Sequence, residues 1–186
     1  MNLTFLNYTT LTPDQHKELL FIRNLDYVRI NMLDDSVIDI NDHLQWVEKL
    51  KNDSTRKYYA ILLDNELIGG INITNIDMNN KTSYWGIFMK KNSNPMVPSL
   101  STYIIIDKIF NELKLEILNL EVNINNINAY KFDKNFGFQD VDEYTKGESK
   151  YYLMKMHKDD WEQHKITPLL KIIKQKLDTV TIKFKD

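Results

Sequence analysis

The chain has no cysteine. That excludes disulfides, thiolate metal sites and a cysteine nucleophile together, and it fits a reducing cytoplasm. No run approaches the roughly 20 apolar residues of a membrane helix. The opening Met1-Asn-Leu-Thr-Phe-Leu-Asn-Tyr8 lacks the basic start and apolar core of a signal peptide. A basic surplus is also missing: 24 Lys and Arg stand against 26 Asp and Glu, for a formal charge of −2. No broad field for nucleic-acid phosphates results, although a local pair such as Lys90 and Lys91 could hold a small anion. Gly-x-Ser-x-Gly, His-Glu-x-x-His, Walker and Gly-x-Gly-x-x-Gly motifs are absent and the four histidines are scattered, so no metal is expected.

What is present is an ordinary soluble composition, 42% apolar and 27% charged over 186 residues, enough for one domain with a real core. The abundance of Asn, Ile and Lys looks like an AT-rich bacterial genome. Residues 3–8 read as a strand, and Thr12-Pro13-Asp14 opens a helix that ends near Arg23 and Asn24. A second helix follows, capped by Asp39 or Asn41, with Leu44, Val47 and Leu50 at helical spacing. Stretches 58–63, 67–76 and 83–89 form an antiparallel meander whose first turn is Asp64-Asn65. A loop over 91–98 leads to a long helix from Ser99, with Leu100, Ile104, Ile105, Ile109 and Leu113 on one face. A strand at 115–122 then implies a parallel crossover. A helix to Phe136 and a hairpin about Lys146-Gly147-Glu148 close the domain at residue 157. Residues 158–186 form a C-terminal extension, partly helical and interrupted at Pro168. Its Trp161 and Ile/Leu residues are expected to pack on the domain or on a partner subunit of a homodimer, because exposing them would leave an aggregation-prone patch.

The segment from Val122 to Phe138 is the most specific in the chain. It resembles the last signature of the GNAT superfamily of N-acetyltransferases, Asn-x-x-Ala-x-x-x-Tyr-x-x-x-Gly-Phe, with Asn126, Ala129, Gly137 and Phe138 on its register and Asp133 in the tyrosine's place. The element order matches over roughly residues 3–156. The resemblance implies an α/β GNAT fold: a mixed central sheet of about seven strands, four helices and a C-terminal helical extension. Within the superfamily, the chain is similar to bacterial N-acetyltransferases of nucleotide-linked amino sugars. Their type member acetylates UDP-4-amino-4,6-dideoxy-N-acetyl-altrosamine on the pseaminic acid route. Phe21-Ile-Arg23-Asn24, Met32, His43-Leu-Gln-Trp46, Lys57-Tyr-Tyr59, Asn72-Ile-Thr-Asn-Ile76, Tyr84-Trp-Gly-Ile-Phe88 and Leu120-Glu-Val122 carry that likeness.

The resemblance implies acetyl-CoA as co-substrate, its pyrophosphate at a helix start and its pantetheine between splayed strands. The usual glycine-rich cradle is replaced by Asn94-Pro-Met-Val-Pro-Ser-Leu-Ser101. The N–H groups of Leu100, Ser101 and Thr102, helped by the Ser99 hydroxyl, are the expected donors, with Asn126 nearby. Arg23 suits a nucleotide phosphate. His43, Met32, Asn72, Thr74 and Tyr84 are expected at the sugar or nucleotide, and Glu121 is the acid best placed as base. Trp85 reads better as core. An ordinary Asp133 would be ionised and could not protonate a leaving thiolate. Lys131 and Lys134 lie close in sequence and show no apolar cage, so a different donor is expected: Tyr130, a water or the substrate ammonium. An Asp133→Asn change should then cost less than about tenfold in kcat. The expected activity is acetyl transfer to a UDP- or dTDP-4-amino-6-deoxyhexose in bacterial glycan precursor synthesis. The rivals are a ribosomal-type protein N-terminal acetyltransferase and an inactive acetyl-CoA-binding module.

Overall fold

In the computed structural model, residues 1–91 and 94–185 are described; Asn92 and Ser93, in the loop expected at 91–98, lie outside them. Strand β1 (Asn2–Asn7) runs through a 3-10 turn (Tyr8–Thr10) into α1 (Pro13–Asn24). Thr12 and Gln15 form a reciprocal capping box at the start of α1, and Pro13 takes the first-turn position, where its missing N–H is harmless. A short α2 (Asp26–Arg29) follows, then α3 (Ile40–Leu50), capped by the Asp39 carboxylate on the Asn41 N–H. The meander β2 (Lys57–Leu63), β3 (Glu66–Asp77) and β4 (Thr82–Met89) turns first at Asp64 and Asn65, both with positive φ, as a tight hairpin turn between twisted strands demands.

Helix α4 (Met96–Asp107) continues as a π-helical segment (Lys108–Glu112) before β5 (Ile117–Asn123). Then come α5 (Ile127–Phe136), β6 (Gln139–Lys146), β7 (Ser149–His157), α6 (Lys158–His164), α7 (Pro168–Leu177) and β8 (Thr181–Lys185). One eight-stranded mixed sheet results, in the order β6-β7-β5-β4-β3-β2-β1-β8. Side chains alternate across it. Leu3, Phe5, Tyr59 and Ile61 face one core with α4, while Leu6, Tyr8, Ala60 and Leu62 face the other with Leu19 and Ile22 of α1 and Val47 of α3.

Three expectations need correction. Among the described residues the sheet has eight strands, not about seven. Thr181-Ile-Lys-Phe-Lys185 pairs in parallel with β1, so the extension is not helical alone. Its strand signal is five residues long, and its partner lies at the other end of the chain. Among the described residues there are seven α-helices: the four expected in the domain, the single-turn α2 that was not expected, and α6 and α7 of the extension, divided by Pro168. Helix α4 starts at Met96, three residues before Ser99. The Asn94 side chain accepts the Met96 N–H, and its carbonyl accepts from Val97, so the first turn forms early around Pro95 and Pro98.

The extension completes the core. Trp161 is fully buried with its ring 5.0 Å from that of Tyr103, Leu170 and Ile173 are buried beside it, and Phe184 stacks on Phe5 at 4.7 Å. Gly137 admits it: φ is +100° there, and a Cβ would lie 2.8 Å from the His164 ring. Among the described residues no helix is long and apolar enough to cross a membrane. Trp161→Ala should cost about 3–5 kcal/mol of unfolding free energy, read from the denaturant midpoint at unchanged slope.

Candidate active site

Strands β4 and β5 pair in parallel only at Thr82–Ile117, Ser83–Leu118 and Tyr84–Asn119. Beyond that point each stays paired on its outer side, β4 to β3 as far as Met89 and β5 to β7 as far as Asn123. The inner edges at 85–89 and 120–123 therefore diverge with no ladder between them. The buried Asn119 side chain, donating to the Ser83 carbonyl at 3.2 Å, closes the crotch of the wedge. A cavity of about 680 Å³ starts in this wedge and continues under α1, α3 and the segment 31–38.

Its deep lobe is aromatic and polar. Tyr8, Trp46 and Tyr58 meet ring to ring, Trp46 and Tyr58 edge-on at 4.7 Å. Gly70 leaves room for this cluster, since a Cβ there would come within 2.3 Å of the Tyr8 hydroxyl. His43 is buried on the same wall, and its Nε2 lies 3.0 Å from Nδ1 of buried His16. One ring must donate and the other accept. Burial lowers the pKa of both, and the neighbouring His16 adds to the effect on His43, which falls to about 4. Burial also raises the Tyr8 phenol far above its ordinary range. Arg23 donates from Nη2 to the Asp34 carbonyl at 2.7 Å, while its buried Nη1 has no partner among the described residues.

Nearer the wedge, Glu121 accepts a 2.7 Å hydrogen bond from the Tyr144 hydroxyl. Burial raises the Tyr144 phenol strongly, the bond to Glu121 adds to that, and Tyr84 is raised by burial and the same carboxylate. Asp133, on α5, is 7% exposed and lines the cavity beside Ala129 and Phe132. Burial alone raises its carboxyl to about 8.

The fold brings together Arg23, Met32, His43, Asn72, Thr74, Tyr84, Glu121, Asn126 and Asp133, all on this cavity wall. Trp85 belongs to the core, 7% exposed, and also reaches the wall. Asn126 spends its side chain on the cap of α5, accepting from the Ala129 N–H at 3.2 Å. The other sites differ from expectation. Tyr130 is outside the cavity: its hydroxyl donates to Asp140 at 2.9 Å and its ring packs on Tyr152, because α5 turns Asp133 inward and Tyr130 toward β6. Asp133 is caged after all, and Lys134 is drawn off to Asp140. Leu100, Ser101 and Thr102 are buried within α4 and away from the cavity, and Ser99 does not line it either. Of the residues that open α4, Pro95 and Pro98 have no N–H, and Met96 and Val97 give theirs to Asn94. Residues 95–98 thus offer no free donor. Lys90 is paired with Glu18 and Glu66, and Lys91 lies over the Tyr27 ring, so the local basic pair is engaged.

The sequence reading missed His16, Tyr8, Tyr58 and Tyr144. His16 is separated from His43 by 27 residues, and no local pattern joins them. Among the described residues no cluster of three or more His, Cys, Asp or Glu is arranged to hold a metal ion.

Known proteins resemble this chain in sequence and fold. A family profile described as an acetyltransferase (GNAT) domain matches residues 15–156. Acetyltransferase PseH of Campylobacter jejuni is 31% identical over 138 residues, which cover 74% of this chain and 85% of that protein. Two crystal structures of C. jejuni N-acetyltransferase PseH superpose with TM-scores of 0.64. One, in complex with acetyl coenzyme A, is 24% identical and covers 84% of this chain and 99% of that one; the other is 25% identical and covers 85% and 99%. The spermidine N-acetyltransferase of Vibrio cholerae, solved with CoA and spermine, shares the fold at 14% identity, with a TM-score of 0.75 over 87% of this chain and 98% of its own.

The histidine pair has a pH signature. His43 ordinarily charges near 6.5 and here near 4. The folded state binds fewer protons than the unfolded one between those values, so stability is full above the upper and falls as pH drops toward the lower. The melting temperature should decline from pH 6.5 to 4, and His43→Gln should remove part of that decline.

Proposed function

The chain belongs to the GNAT family of acetyltransferases, and we propose that it acetylates the amine of a nucleotide-linked amino sugar with acetyl-CoA as donor. A UDP- or dTDP-linked 4-amino-6-deoxyhexose is the favoured acceptor, in glycan precursor synthesis in a bacterial cytoplasm. One observation carries this reading: a single cavity joins the β4–β5 wedge to the lobe of Arg23 and His43, so donor and acceptor can meet in one space. Its volume is that of a small-molecule site. The likeness to PseH supports the substrate class.

The wedge fits an extended pantetheine, since its free strand edges present N–H and C=O groups that only a ligand or water can satisfy. The start of α4 fits a pyrophosphate poorly, because residues 95–98 have no N–H left to give. Acetyl-CoA supplies an activated thioester; the residues of this chain bind, orient and move protons. Arg23 lines the acceptor lobe, and its guanidinium suits a phosphate there. His43, held in one tautomer by His16, presents a fixed ring to the nucleotide or sugar. Met32 offers an apolar wall for a deoxysugar methyl, and Asn72 and Thr74, two residues apart on β3, offer polar groups on one face. Glu121, oriented by Tyr144, is placed to take the amine proton. A homodimer would have to use surfaces other than Trp161, Leu170 and Ile173, which are buried within one chain.

The test is acetyl-CoA-dependent turnover on a nucleotide-linked 4-amino sugar beside a free peptide N-terminus. Turnover of the sugar is expected, and turnover of the peptide alone would sink the reading. Arg23→Ala should raise KM for the nucleotide sugar by about ten- to a hundredfold, the worth of a hydrogen bond to a charged group, with kcat little changed. His43→Ala should act in the same sense. A large kcat loss at unchanged KM in His43→Ala would make that ring the base.

A further inference from the structure

We propose that Asn24 is a positioning residue for the acceptor: it staples the end of α1 to Ile38, and so holds segment 31–38 and the start of α3 in place as one wall of the acceptor lobe. The inference deepens the acetyl-transfer reading and rests on it for the identity of the acceptor. The staple is reciprocal. Asn24 Nδ2 donates to the Ile38 carbonyl at 2.9 Å, and its Oδ1 accepts the Ile38 N–H at 3.0 Å. One side chain thus satisfies both backbone groups of a residue 14 positions away, as a neighbouring strand would.

The segment has little else to hold it. Residues 30–39 form no helix or strand, and among the described residues no backbone–backbone hydrogen bond reaches 33–38. Large apolar side chains do not anchor it either, since Ile30, Leu33 and Val37 are exposed. Side chains of α1 and α2 take its carbonyls instead. Arg23 donates to that of Asp34 at 2.7 Å, and Arg29 to that of Asp35 at 2.9 Å. Arg29 is itself fixed by Asp26, which accepts from its Nε at 3.0 Å. Within the segment, the Asp34 carboxylate accepts the Ser36 N–H at 3.0 Å.

The residues that the staple positions border the cavity, whereas Asn24 and Arg29 do not. Met32, Asp34 and Ile38 line it, and His43 lines it from the first turn of α3, whose cap, Asp39, directly follows Ile38. Asn24 therefore acts through these residues and not by touching a ligand. Without it, the segment samples arrangements in which this wall is out of place. Acceptor affinity then falls in proportion to the molecules still competent to bind. The wedge between β4 and β5 is built from other elements, so donor binding should be spared.

Two arms test this. In turnover at saturating acetyl-CoA, Asn24→Ala should raise KM for the amine acceptor by about five- to a hundredfold, the worth of two neutral hydrogen bonds. It should leave kcat within about threefold of native and keep the Kd for acetyl-CoA. In the unliganded protein, the Ile38 amide should exchange with solvent faster in Asn24→Ala, while the amides of β2 and β3 keep their protection. That contrast separates a loosened segment from a loosened fold. Arg29→Ala, which frees the Asp35 carbonyl and leaves the staple intact, should raise KM in the same sense, and it tests the segment even where Asn24→Ala does not fold. A KM within about twofold of native in Asn24→Ala, a kcat loss larger than the KM rise, or an unchanged Ile38 amide overturns the proposal. Refusal of nucleotide-linked sugars with turnover of another amine overturns only the substrate class, and KM is then read with that amine.

Discussion

Parallel pairing between β4 and β5 ends at Tyr84 and Asn119, and the geometry of the site follows from that point. Two neighbouring strands normally satisfy each other's backbone groups along their whole length. Here each is anchored on its far side, β4 in the meander and β5 in the β5-β7-β6 hairpin unit, and these two parts of the sheet turn away from each other. Asn119 on Ser83 holds the crotch shut, so the divergence starts at one place instead of running down the sheet. The gap opens the cavity at the centre of the fold. It also exposes both faces of the β5 edge, which is why Leu120, Glu121 and Val122 all border one cavity.

A sheet divided in this way needs support across its face. Helix α4 and the π-helical segment that continues it lead from β4 to β5 and bury Leu100, Ile105, Ile106 and Ile109 in the core. The extension braces α4 from outside through Trp161 on Tyr103, and it adds β8 beside β1. The burial of Ser101 and Thr102, whose hydroxyls have no partner among the described residues, belongs to the same arrangement, in which α4 is packed as a structural beam. Its first turn is closed by two prolines, which have no N–H, and by Asn94, which takes the N–H groups of Met96 and Val97.

Much of this was legible in the chain, because local signals decided it. The Thr12–Gln15 box, the Asp64-Asn65 turn and Gly137 after an amphipathic run each carry their own geometry. Arg23, His43, Asn72 and Thr74, singled out in the sequence with the family resemblance, all border the one cavity. What escaped depended on contacts distant in sequence. Lys131 and Lys134 flank Asp133 in the chain, yet a helix sends residues one apart in different directions, and Asp140 takes one of those charges away. The His16–His43 pair and the β1–β8 pair likewise join residues with nothing between them in sequence to announce the match.

The wedge also divides the sheet in time. Amides in the middle of an eight-stranded sheet ordinarily exchange with solvent only through large openings, whereas those on frayed ends exchange freely. The inner edges at 85–89 and 120–123 lack a ladder partner while lying at the centre of the strand order. A seam of quickly deuterated amides should therefore run through the best protected part of the molecule, bounded on either side by β3 and β7. A bound ligand that supplied the missing partners would act as a ninth strand, and the seam would close without any movement of the sheet.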